Sequence, residues 1–346
     1  MTGIETEFER VALPLADAFT IARGTTTTAE NVLVRVTHDG VTGVGNAAPA
    51  SHYGETADTV AAVLPDLLSA VEDAGDPFAL QRIERRMAET VGDNPAARAA
   101  VSIAVHDLVG KLLDEPLYRL WGLDPDEAVA SSFTIGIDDT ERMVEKTEAA
   151  VEAGYSVLKV KLGTDRDREI VRAVRSAAPD ARIRVDANEA WRPREALELI
   201  DVLAGEDVEF VEQPVPAGND EGRRLVYERS ALPIAADESC VTLDDVPRIA
   251  ETADVANLKL MKCGGLREAR RMVAAARAHG LEVMLGCMVE SSASIAAGAQ
   301  LAPLLDYADL DGALLLDEDP FDGPVREGGR IDLAGQERPG TGAYEE

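Results

Sequence analysis

The segment Val157-Leu158-Lys159-Val160-Lys161-Leu162 decides the fold prediction, because it has the pattern of a buried strand that carries two lysines. Side chains alternate along a strand, so three apolar residues share one face, and Val157, Lys159 and Lys161 share the other. Two ammonium groups at this spacing, roughly 6–7 Å apart, repel each other. The alternative interpretation is an ordinary solvated strand face.

Lysine is scarce in this chain, and its placement draws attention to two short segments. Only six of the 34 basic residues are lysines, and the others are arginines. Four of the six lysines lie in two pairs, Lys159/Lys161 and Lys259/Lys262. Arginine stays protonated in proteins, whereas lysine can be driven to its neutral form and act as a base. The two pairs are therefore candidates for proton transfer.

Length and composition indicate a large globular chain with an unusual charge. At 346 residues it is long enough for two domains or one large barrel with additions, and 46% hydrophobic residues provide a substantial core. The formal charge of −30 is spread along the chain. With few lysines and few aromatic residues, this charge predicts a halophilic protein, in which salt screens the self-repulsion. It also argues against nucleic acid or an anionic membrane as a partner.

The cysteines and the N-terminal segment predict a cytoplasmic protein. Cys240, Cys263 and Cys287 are scattered, which favours reduced thiols over a disulfide framework or a zinc site. Residues 1–10 have neither the basic flank nor the apolar run of a signal peptide, and no stretch predicts a membrane span. The oligomeric state stays open, a homo-oligomer included.

The first 120 residues or so have the pattern of an α+β unit. Strands joined by turns are predicted at Ile4–Leu13, around Phe19–Arg23, at Val32–Val36 and at Val41–Asn46, with a hairpin turn at Asp39-Gly40. Residues 56–113 change to a helical period, and Pro77 and Pro95 fall near the first turns of later helices.

From about residue 130 the pattern changes to alternating strands and helices, which predicts an α/β fold with a parallel sheet. The strands recur about every 25 residues. Helical segments such as 141–153, 166–178 and 266–279 follow most of them. The predicted strands are 131–137, 156–162, 182–187, 208–213, 233–237, 255–260, 281–286 and 307–310. Eight strands at this spacing favour a closed barrel, and no glycine-rich dinucleotide motif follows any of them.

Three consecutive predicted strands end in a carboxylate. These are Asp186, Glu212 and Asp237, one strand–helix repeat apart. Because chemistry in such barrels lies at the carboxyl ends of the strands, the three should converge on one arc of the mouth. Convergent carboxylates need a cation, and hard oxygen ligands with open positions suit magnesium. The alternative is chance, since 64 of the 346 residues are acidic.

Lys161 and Lys259 should face each other across this mouth. They end the second and sixth predicted strands, which lie four apart in an eight-stranded barrel. The arrangement predicts proton abstraction next to a carboxylate: one lysine removes the proton, a metal stabilises the enolate, and the other lysine returns a proton to the far face. Lys159 would lower the pKa of Lys161 by charge repulsion and supply the neutral base.

Five short motifs together carry a family resemblance that covers essentially the whole chain. They are Lys159-Val160-Lys161, Asp186-Ala187-Asn188, Glu212-Gln213-Pro214, Asp237-Glu238-Ser239, and Lys259 followed by Gly264-Gly265. On these motifs the chain resembles the enolase superfamily, in the muconate-lactonizing-enzyme subgroup. The resemblance implies a modified (β/α)7β barrel at residues 126–318 with an α+β capping domain at 1–125. It also implies a tail at 319–346 that packs back on the capping domain.

The resemblance also implies site residues. It places one Mg²⁺ on Asp186, Glu212 and Asp237 and makes Lys161 and Lys259 the acid/base residues. Histidine-based relatives place a catalytic histidine late in the barrel. Here the late histidine, His279, lies in a helical run where a surface or capping role is expected, and the other three look structural or loop-borne: His38, His52 and His106.

Two features favour dipeptide epimerisation among the reactions of the subgroup. The run Gly286-Cys287-Met288-Val289-Glu290-Ser291 is similar to one in dipeptide epimerases, and Asp309 and Asp311 resemble the pair that holds a dipeptide's ammonium. A cationic amine in a closed site needs anionic partners. The expected substrate-binding residues are Arg23, Thr134, Asn188, Met288, Glu290, Asp309 and Asp311.

Other activities remain open at this stage. An N-acylamino acid racemase, an o-succinylbenzoate synthase or a muconate-type cycloisomerase could use the same scaffold, and Asp309 and Asp311 could be solvated surface charges. Arg23 would suit an acidic C-terminal side chain or a free carboxylate. A more remote alternative is a non-catalytic metal-binding barrel, which the retention of both Lys161 and Lys259 disfavours.

Overall fold

The structure is a computed structural model that describes residues 3–335 and 338–345. Residues 1, 2, 336, 337 and 346, which the predicted capping domain and tail include, lie outside the described residues. None of the helices in the described part of the chain is long and apolar enough to cross a membrane.

An antiparallel sheet of three strands opens the chain, in the order β1-β2-β3. The strands are β1 (Glu5–Ile21), β2 (Gly24–His38) and β3 (Val41–Ala47). The prediction of two separate segments before residue 24 was wrong, because β1 continues through residues 14–18. It stays paired with the long β2 on both sides of a register shift between Pro14 and Phe19. Arg23 therefore lies in the turn between β1 and β2.

Four helices follow the sheet: α1 (Ala57–Ala74), α2 (Leu80–Thr90), α3 (Pro95–Leu113) and the short α4 (Leu117–Leu120). Pro95 occupies the first position of α3, where its missing N–H costs no hydrogen bond. Helix α3 is buried along most of its length, and it lies against β3. A Cβ atom on Gly43 would overlap with the backbone oxygen of Ala104, so glycine is needed for this close approach.

The second half of the chain forms a parallel sheet of eight strands in sequence order. One bridge between Ser131 and Ala308 brings its first and last strands together, which makes a nearly closed barrel. All eight predicted strands are confirmed, with slightly narrower bounds. They are β4 (Phe133–Ile135), β5 (Val157–Lys161), β6 (Arg182–Asp186), β7 (Val208–Glu212), β8 (Ile234–Ala236), β9 (Val255–Lys259), β10 (Glu282–Gly286) and β11 (Tyr307–Asp309).

Helices follow the strands as predicted and bury their apolar faces on the sheet. Those after the first four strands are α5 (Thr140–Glu152), α6 (Asp167–Ala177), α7 (Pro193–Gly205) and α8 (Asp220–Arg229). Those after the next three strands are α9 (Val246–Ile249), α10 (Leu260–Cys263), α11 (Leu266–Ala278) and α12 (Ser292–Ala299). The strand interiors are almost entirely buried, which matches their continuous apolar pattern.

The C-terminal segment contacts the N-terminal half. Its strands β12 (Phe321–Asp322) and β13 (Tyr344–Glu345) pair with each other. The backbone N–H of Thr341 donates to the buried carboxylate of Asp107 on α3 at 2.8 Å. Arg35 on β2 donates to Glu345 at 2.7 Å. The division of the chain into a capping domain, a barrel and a tail at about residues 125 and 318 stays a prediction.

Candidate active site

Three carboxylates meet at the carboxyl edge of the barrel. Asp186 ends β6, Glu212 ends β7, and Asp237 follows directly after β8. All three are buried, and one oxygen from each lies within 4.8 Å of the others. Consecutive parallel strands end at the same edge, so the equal spacing in the sequence produces this convergence.

The donor set fits a hard divalent cation. Three carboxylate oxygens in a buried site are the ligands that magnesium prefers. Glu212 Oε2 lies 2.9 Å from Lys159 Nζ, yet it forms no hydrogen bond of acceptable geometry with the described residues. Burial and the neighbouring charge of Asp186 raise the pKa of Glu212 to about 7. A bound cation would favour the ionised form of this buried carboxylate and offset its repulsion by the neighbouring carboxylates.

Lysine ammonium groups surround the three carboxylates. Lys161 Nζ lies 2.7 Å from Asp186 Oδ2, and Lys159 Nζ lies 3.2 Å from the same oxygen. The Asp186 carboxylate thus pairs with both Lys159 and Lys161, and its negative charge offsets the repulsion expected between their ammonium groups. On the other side, Lys259 Nζ donates to Asp237 Oδ2 at 2.8 Å. The triad is therefore flanked by a positive charge on each side.

The charges in this cluster shift one another's pKa values strongly. Burial would raise the pKa of Asp186, but Lys161 and Lys159 hold it below the ordinary value. Burial would lower the pKa of Lys159, but Asp309, Glu212 and Asp186 hold it well above the ordinary value. Lys159 is therefore a permanent positive charge, held 1% exposed at the base of the site.

Lys161 and Lys259 line one cavity of about 870 Å³ between the N-terminal half and the barrel. They lie at the ends of β5 and β9, which are four strands apart in the eight-stranded order. The cavity is large enough for a small organic ligand. Most predicted substrate-binding residues line the same cavity: Arg23, Thr134, Asn188, Met288, Asp309 and Asp311.

Asp309 and Asp311 differ in their partners. Asp309 accepts hydrogen bonds from Lys159 and from the hydroxyl of Ser132, both at 2.7 Å. Asp311 accepts one from the backbone N–H of Thr134 at 2.6 Å. Burial and the adjacent charge of Asp309 raise the pKa of Asp311 to about 7. A cationic group placed beside Asp311 would stabilise its ionised form.

Arg23 reaches from the β1–β2 turn to the barrel. Its Nη1 donates to Glu238 Oε1 at 2.7 Å and to the backbone oxygen of Asn188 at 3.1 Å. The same nitrogen lies 3.5 Å from Glu189 Oε2. In this structure the guanidinium charge is thus matched by barrel carboxylates at the cavity mouth.

Glu290, predicted to bind substrate, is not among the described residues that line the cavity. It is buried, and it accepts a hydrogen bond from the backbone N–H of Met288 at 2.9 Å and one from the hydroxyl of Ser294. Asn46 Nδ2 donates to that hydroxyl at 3.2 Å and to Asn31 Oδ1 at 2.6 Å. Glu290 is therefore linked to β3 and β2 indirectly, through the Ser294 hydroxyl and Asn46.

Comparison with known proteins identifies the family. Residues 3–122 match the family model described as mandelate racemase / muconate lactonizing enzyme, N-terminal domain. Residues 142–344 match the one described as enolase C-terminal domain-like. The chain belongs to the enolase superfamily.

Three similar members of the superfamily differ in their named substrates. An L-Ala-D/L-Glu epimerase of Bacteroides thetaiotaomicron is 41% identical, over 95% of this chain and 85% of that protein. The crystal structure of a dipeptide epimerase from Enterococcus faecalis V583, complexed with Mg and L-Leu-L-Tyr, is 34% identical, with a TM-score of 0.90 over 99% of this chain and 100% of that one. An N-succinyl Arg/Lys racemase from Bacillus cereus is 29% identical, with a TM-score of 0.93 over 100% of this chain and 96% of that one.

Two further buried side chains of this enolase-superfamily member contact the triad, and the sequence analysis did not predict these contacts. Lys262 Nζ donates to Asp237 Oδ1 at 2.6 Å and to two backbone oxygens, and Asn257 Nδ2 donates to Glu212 Oε1 at 2.8 Å. Asn257 lies two residues before Lys259 on β9, so strand alternation could have placed it on the same face. Two residues of the N-terminal half, His52 and Tyr53, also line the cavity, and no sequence pattern indicates this.

The histidines of this superfamily member stay outside the triad. His279 follows α11 at its C-terminal cap and is exposed, which confirms the expected surface or capping position. His106 is buried in α3, with Nδ1 2.7 Å from the backbone oxygen of Ser102. The basic groups next to the carboxylates are therefore lysines.

Proposed function

We propose that this protein is a magnesium-dependent dipeptide epimerase that inverts the α-carbon of the C-terminal residue of an L,L-dipeptide. The observation that carries the proposal is the placement of Lys161 and Lys259. They face one cavity from opposite sides of the barrel, with Asp186, Glu212 and Asp237 between them. A two-base arrangement can remove a proton from one face of a carbon and deliver one to the other.

Each residue then has a defined task. Asp186, Glu212 and Asp237 would hold the metal ion. When magnesium is bound there, its charge stabilises the negative charge that develops on the substrate carboxylate, as in an enolate. One of the two cavity lysines, in its neutral form, accepts the α-proton, and the ammonium of the other donates one to the opposite face.

Lys159 supports this chemistry from beneath the site. Its ammonium is held by Asp309, Glu212 and Asp186, and burial keeps water away from it. The ammonium groups of Lys159 and Lys161 lie 3.2 and 2.7 Å from the same oxygen of Asp186. The proposed role of Lys159 is therefore to support the base through this shared carboxylate, while Lys161 touches the substrate.

The substrate class follows from the acidic pair at the end of β11. Asp309 and Asp311 are buried beside the cavity, where a dipeptide's ammonium would meet an anionic partner. Substrates of o-succinylbenzoate synthases and cycloisomerases carry extra carboxylates and no amine, so this pair would repel them. Two of the similar proteins are named for dipeptide substrates.

A second candidate is an N-acylamino acid racemase. The high structural similarity to the N-succinyl Arg/Lys racemase supports the same proton transfer on an acylated amino acid. Such a substrate lacks the free ammonium, so the acidic pair disfavours it. A non-catalytic barrel is disfavoured because both cavity lysines are retained beside the triad.

A mass-shift screen tests the proposal. The purified protein is incubated in heavy water with Mg²⁺, molar KCl and libraries of L,L-dipeptides and of N-acylamino acids. The expected result is a gain of one mass unit in members of the dipeptide library. Exchange confined to the N-acyl library would favour the racemase, and no exchange in either library would contradict both candidates.

We also propose a high-salt cytoplasm as the working environment. The formal charge of −30 supports it, because such a charge destabilises a compact chain unless salt screens it. Surface ion pairs in the structure use arginine far more often than lysine, for example Arg224 with Glu251 at 2.7 Å. A homo-oligomeric state remains a prediction.

A further inference from the structure

Gln213 lies between two of the triad carboxylates without touching the cavity. It follows Glu212 at the end of β7 and is buried. Its φ of +38° lies in the left-handed region, which is uncommon for a residue other than glycine. Its backbone N–H donates to Ala235 of β8 at 2.9 Å, so the residue is bonded to the strand that leads to Asp237.

The carboxamide oxygen of Gln213 accepts three hydrogen bonds from one short segment. The donors are the backbone N–H of Asp237 at 3.0 Å, the backbone N–H of Ser239 at 3.2 Å and the Ser239 hydroxyl at 2.9 Å. The amide Nε2 donates to the backbone oxygen of Val215 at 2.9 Å, which fixes the orientation of the carboxamide. Both polar atoms of this side chain are therefore hydrogen-bonded, one to the loop after β7 and the other to the 237–239 segment after β8.

These bonds contribute to the placement of the Asp237 carboxylate. The side-chain oxygens of Asp237 accept from Lys259 and Lys262, and its backbone oxygen accepts from Lys262 and from the N–H of Cys240. Its backbone N–H donates to Gln213. Glu212 and Asp237 are contributed by different strands, so their relative placement depends on what connects the two strand ends. Gln213 makes that connection immediately beside both.

We propose that Gln213 is a positioning residue that sets the affinity of the triad for Mg²⁺ by holding the 237–239 segment against the end of β7. The proposal rests on the proposed function, since it takes the triad as the magnesium site. Residues that orient metal ligands commonly change metal affinity about 10–100-fold when they are replaced. Leucine at position 213 would leave two backbone N–H groups and a hydroxyl without their acceptor.

Gln300 provides a matched control. It is also buried, its Oε1 accepts from the backbone N–H of Tyr118 at 3.0 Å, and its Nε2 donates to the backbone oxygen of Thr341 at 2.8 Å. These partners belong to the segment after α3 and to the tail. Gln300→Leu should therefore destabilise the fold in a similar way to Gln213→Leu without altering the triad.

The experiment is a calorimetric titration of Mg²⁺ alone into the full chain at constant KCl concentration, with the melting temperature of each variant measured in parallel. Gln213→Leu should weaken Mg²⁺ binding at least about tenfold. Gln300→Leu should bind Mg²⁺ as the unmodified protein does. Ser239→Ala removes one of the three bonds and should weaken binding by a smaller factor.

An unchanged Kd in Gln213→Leu, or an equal weakening in Gln300→Leu, would overturn the proposal. If Gln213→Leu does not fold, Ser239→Ala decides, because weaker Mg²⁺ binding supports the positioning role and an unchanged Kd contradicts it. Failure of the unmodified protein to bind Mg²⁺ would instead remove the proposed metal site. The two failures are thus distinguishable without any assay of activity.

Discussion

Lys161 and Lys259 face one cavity from strands that lie four positions apart in the barrel, and each ammonium lies against a different carboxylate of the triad. Lys161 is 2.7 Å from Asp186, and Lys259 is 2.8 Å from Asp237. In the proposed function, this relationship divides proton transfer between the two faces of a bound carbon.

Replacing either cavity lysine should slow inversion strongly but leave proton exchange on one face. We expect Lys161→Met and Lys259→Met each to lower the rate of epimerisation by about 10²–10⁴-fold, which is the usual contribution of a general acid–base group. Each variant should still exchange the α-proton of one epimer in heavy water, and the two variants should act on opposite epimers. Proton NMR on each purified epimer measures this.

A lysine outside the cavity serves as the control for these variants. Lys146→Met removes an ammonium that pairs with Asp138 at 3.2 Å, and it should leave the rate unchanged. If Lys161→Met and Lys259→Met exchanged the same epimer, or if either still epimerised at the normal rate, the two-face assignment would be wrong.

Asp311→Asn should separate dipeptides from acylated substrates. Loss of a buried charge that pairs with an ammonium costs about 2–5 kcal/mol, so kcat/KM for a dipeptide should fall at least about 30-fold. Any activity on an N-acylamino acid, which has no ammonium, should be retained. Steady-state kinetics on both classes with the same preparation measures the difference, and an equal loss on both would contradict an ammonium-binding role.

The sequence predicted the strand order and the triad well, because both depend on periodicity. The regular spacing of Asp186, Glu212 and Asp237 places them at successive strand ends, and alternation along β5 places Lys159 and Lys161 on one face. The substrate contact of Glu290 stays a prediction, and its side chain accepts from Ser294 and from the backbone of Met288. Loop conformation has no periodicity, so these partners could not be predicted.

The N-terminal half also contains features that no local sequence pattern could predict. Residues 14–18 have no clear strand pattern, and β1 includes them because β2 is long enough to pair on both sides of the shift. The contact of Arg23 with Glu238 joins residues 215 positions apart in the sequence. No local pattern indicates such a contact, although the charge of each residue is visible in the sequence.

Salt should stabilise the folded chain. With a formal charge of −30, self-repulsion in the compact state weakens as the ionic strength rises. The free energy of unfolding, measured by urea denaturation between 0.1 and 3 M KCl, should therefore increase. Most of the gain should occur below about 1 M, where the Debye length falls to about 3 Å. A flat or falling dependence of the free energy of unfolding on KCl would contradict the proposed high-salt environment.

Glu55 should make stability pH-dependent. Its buried carboxylate accepts from the N–H of Ala96 at the start of α3, at 3.1 Å, and burial raises its pKa to about 7 from an ordinary value of 4.5. The folded state therefore binds the proton more tightly than the unfolded state. The protonated Glu55 therefore contributes to the free energy of unfolding below pH 4.5, and this contribution is lost as the pH rises through 7.

Glu55→Gln removes this titration and keeps an oxygen acceptor for Ala96. The free energy of unfolding of the unmodified protein, relative to the variant, should fall by up to about 3 kcal/mol between pH 4.5 and 7. Denaturation curves at several pH values in constant KCl measure it. Parallel pH dependences of the two proteins would show that Glu55 does not titrate in this range.

The position of deuterium tests the central claim most directly. A dipeptide turned over in heavy water with Mg²⁺ should gain deuterium at the α-carbon of its C-terminal residue, and the L,L and L,D forms should appear together. Proton NMR resolves the two α-positions and both diastereomers in one spectrum. Deuterium at the N-terminal α-carbon, or turnover without deuterium at either carbon, would contradict epimerisation by Lys161 and Lys259.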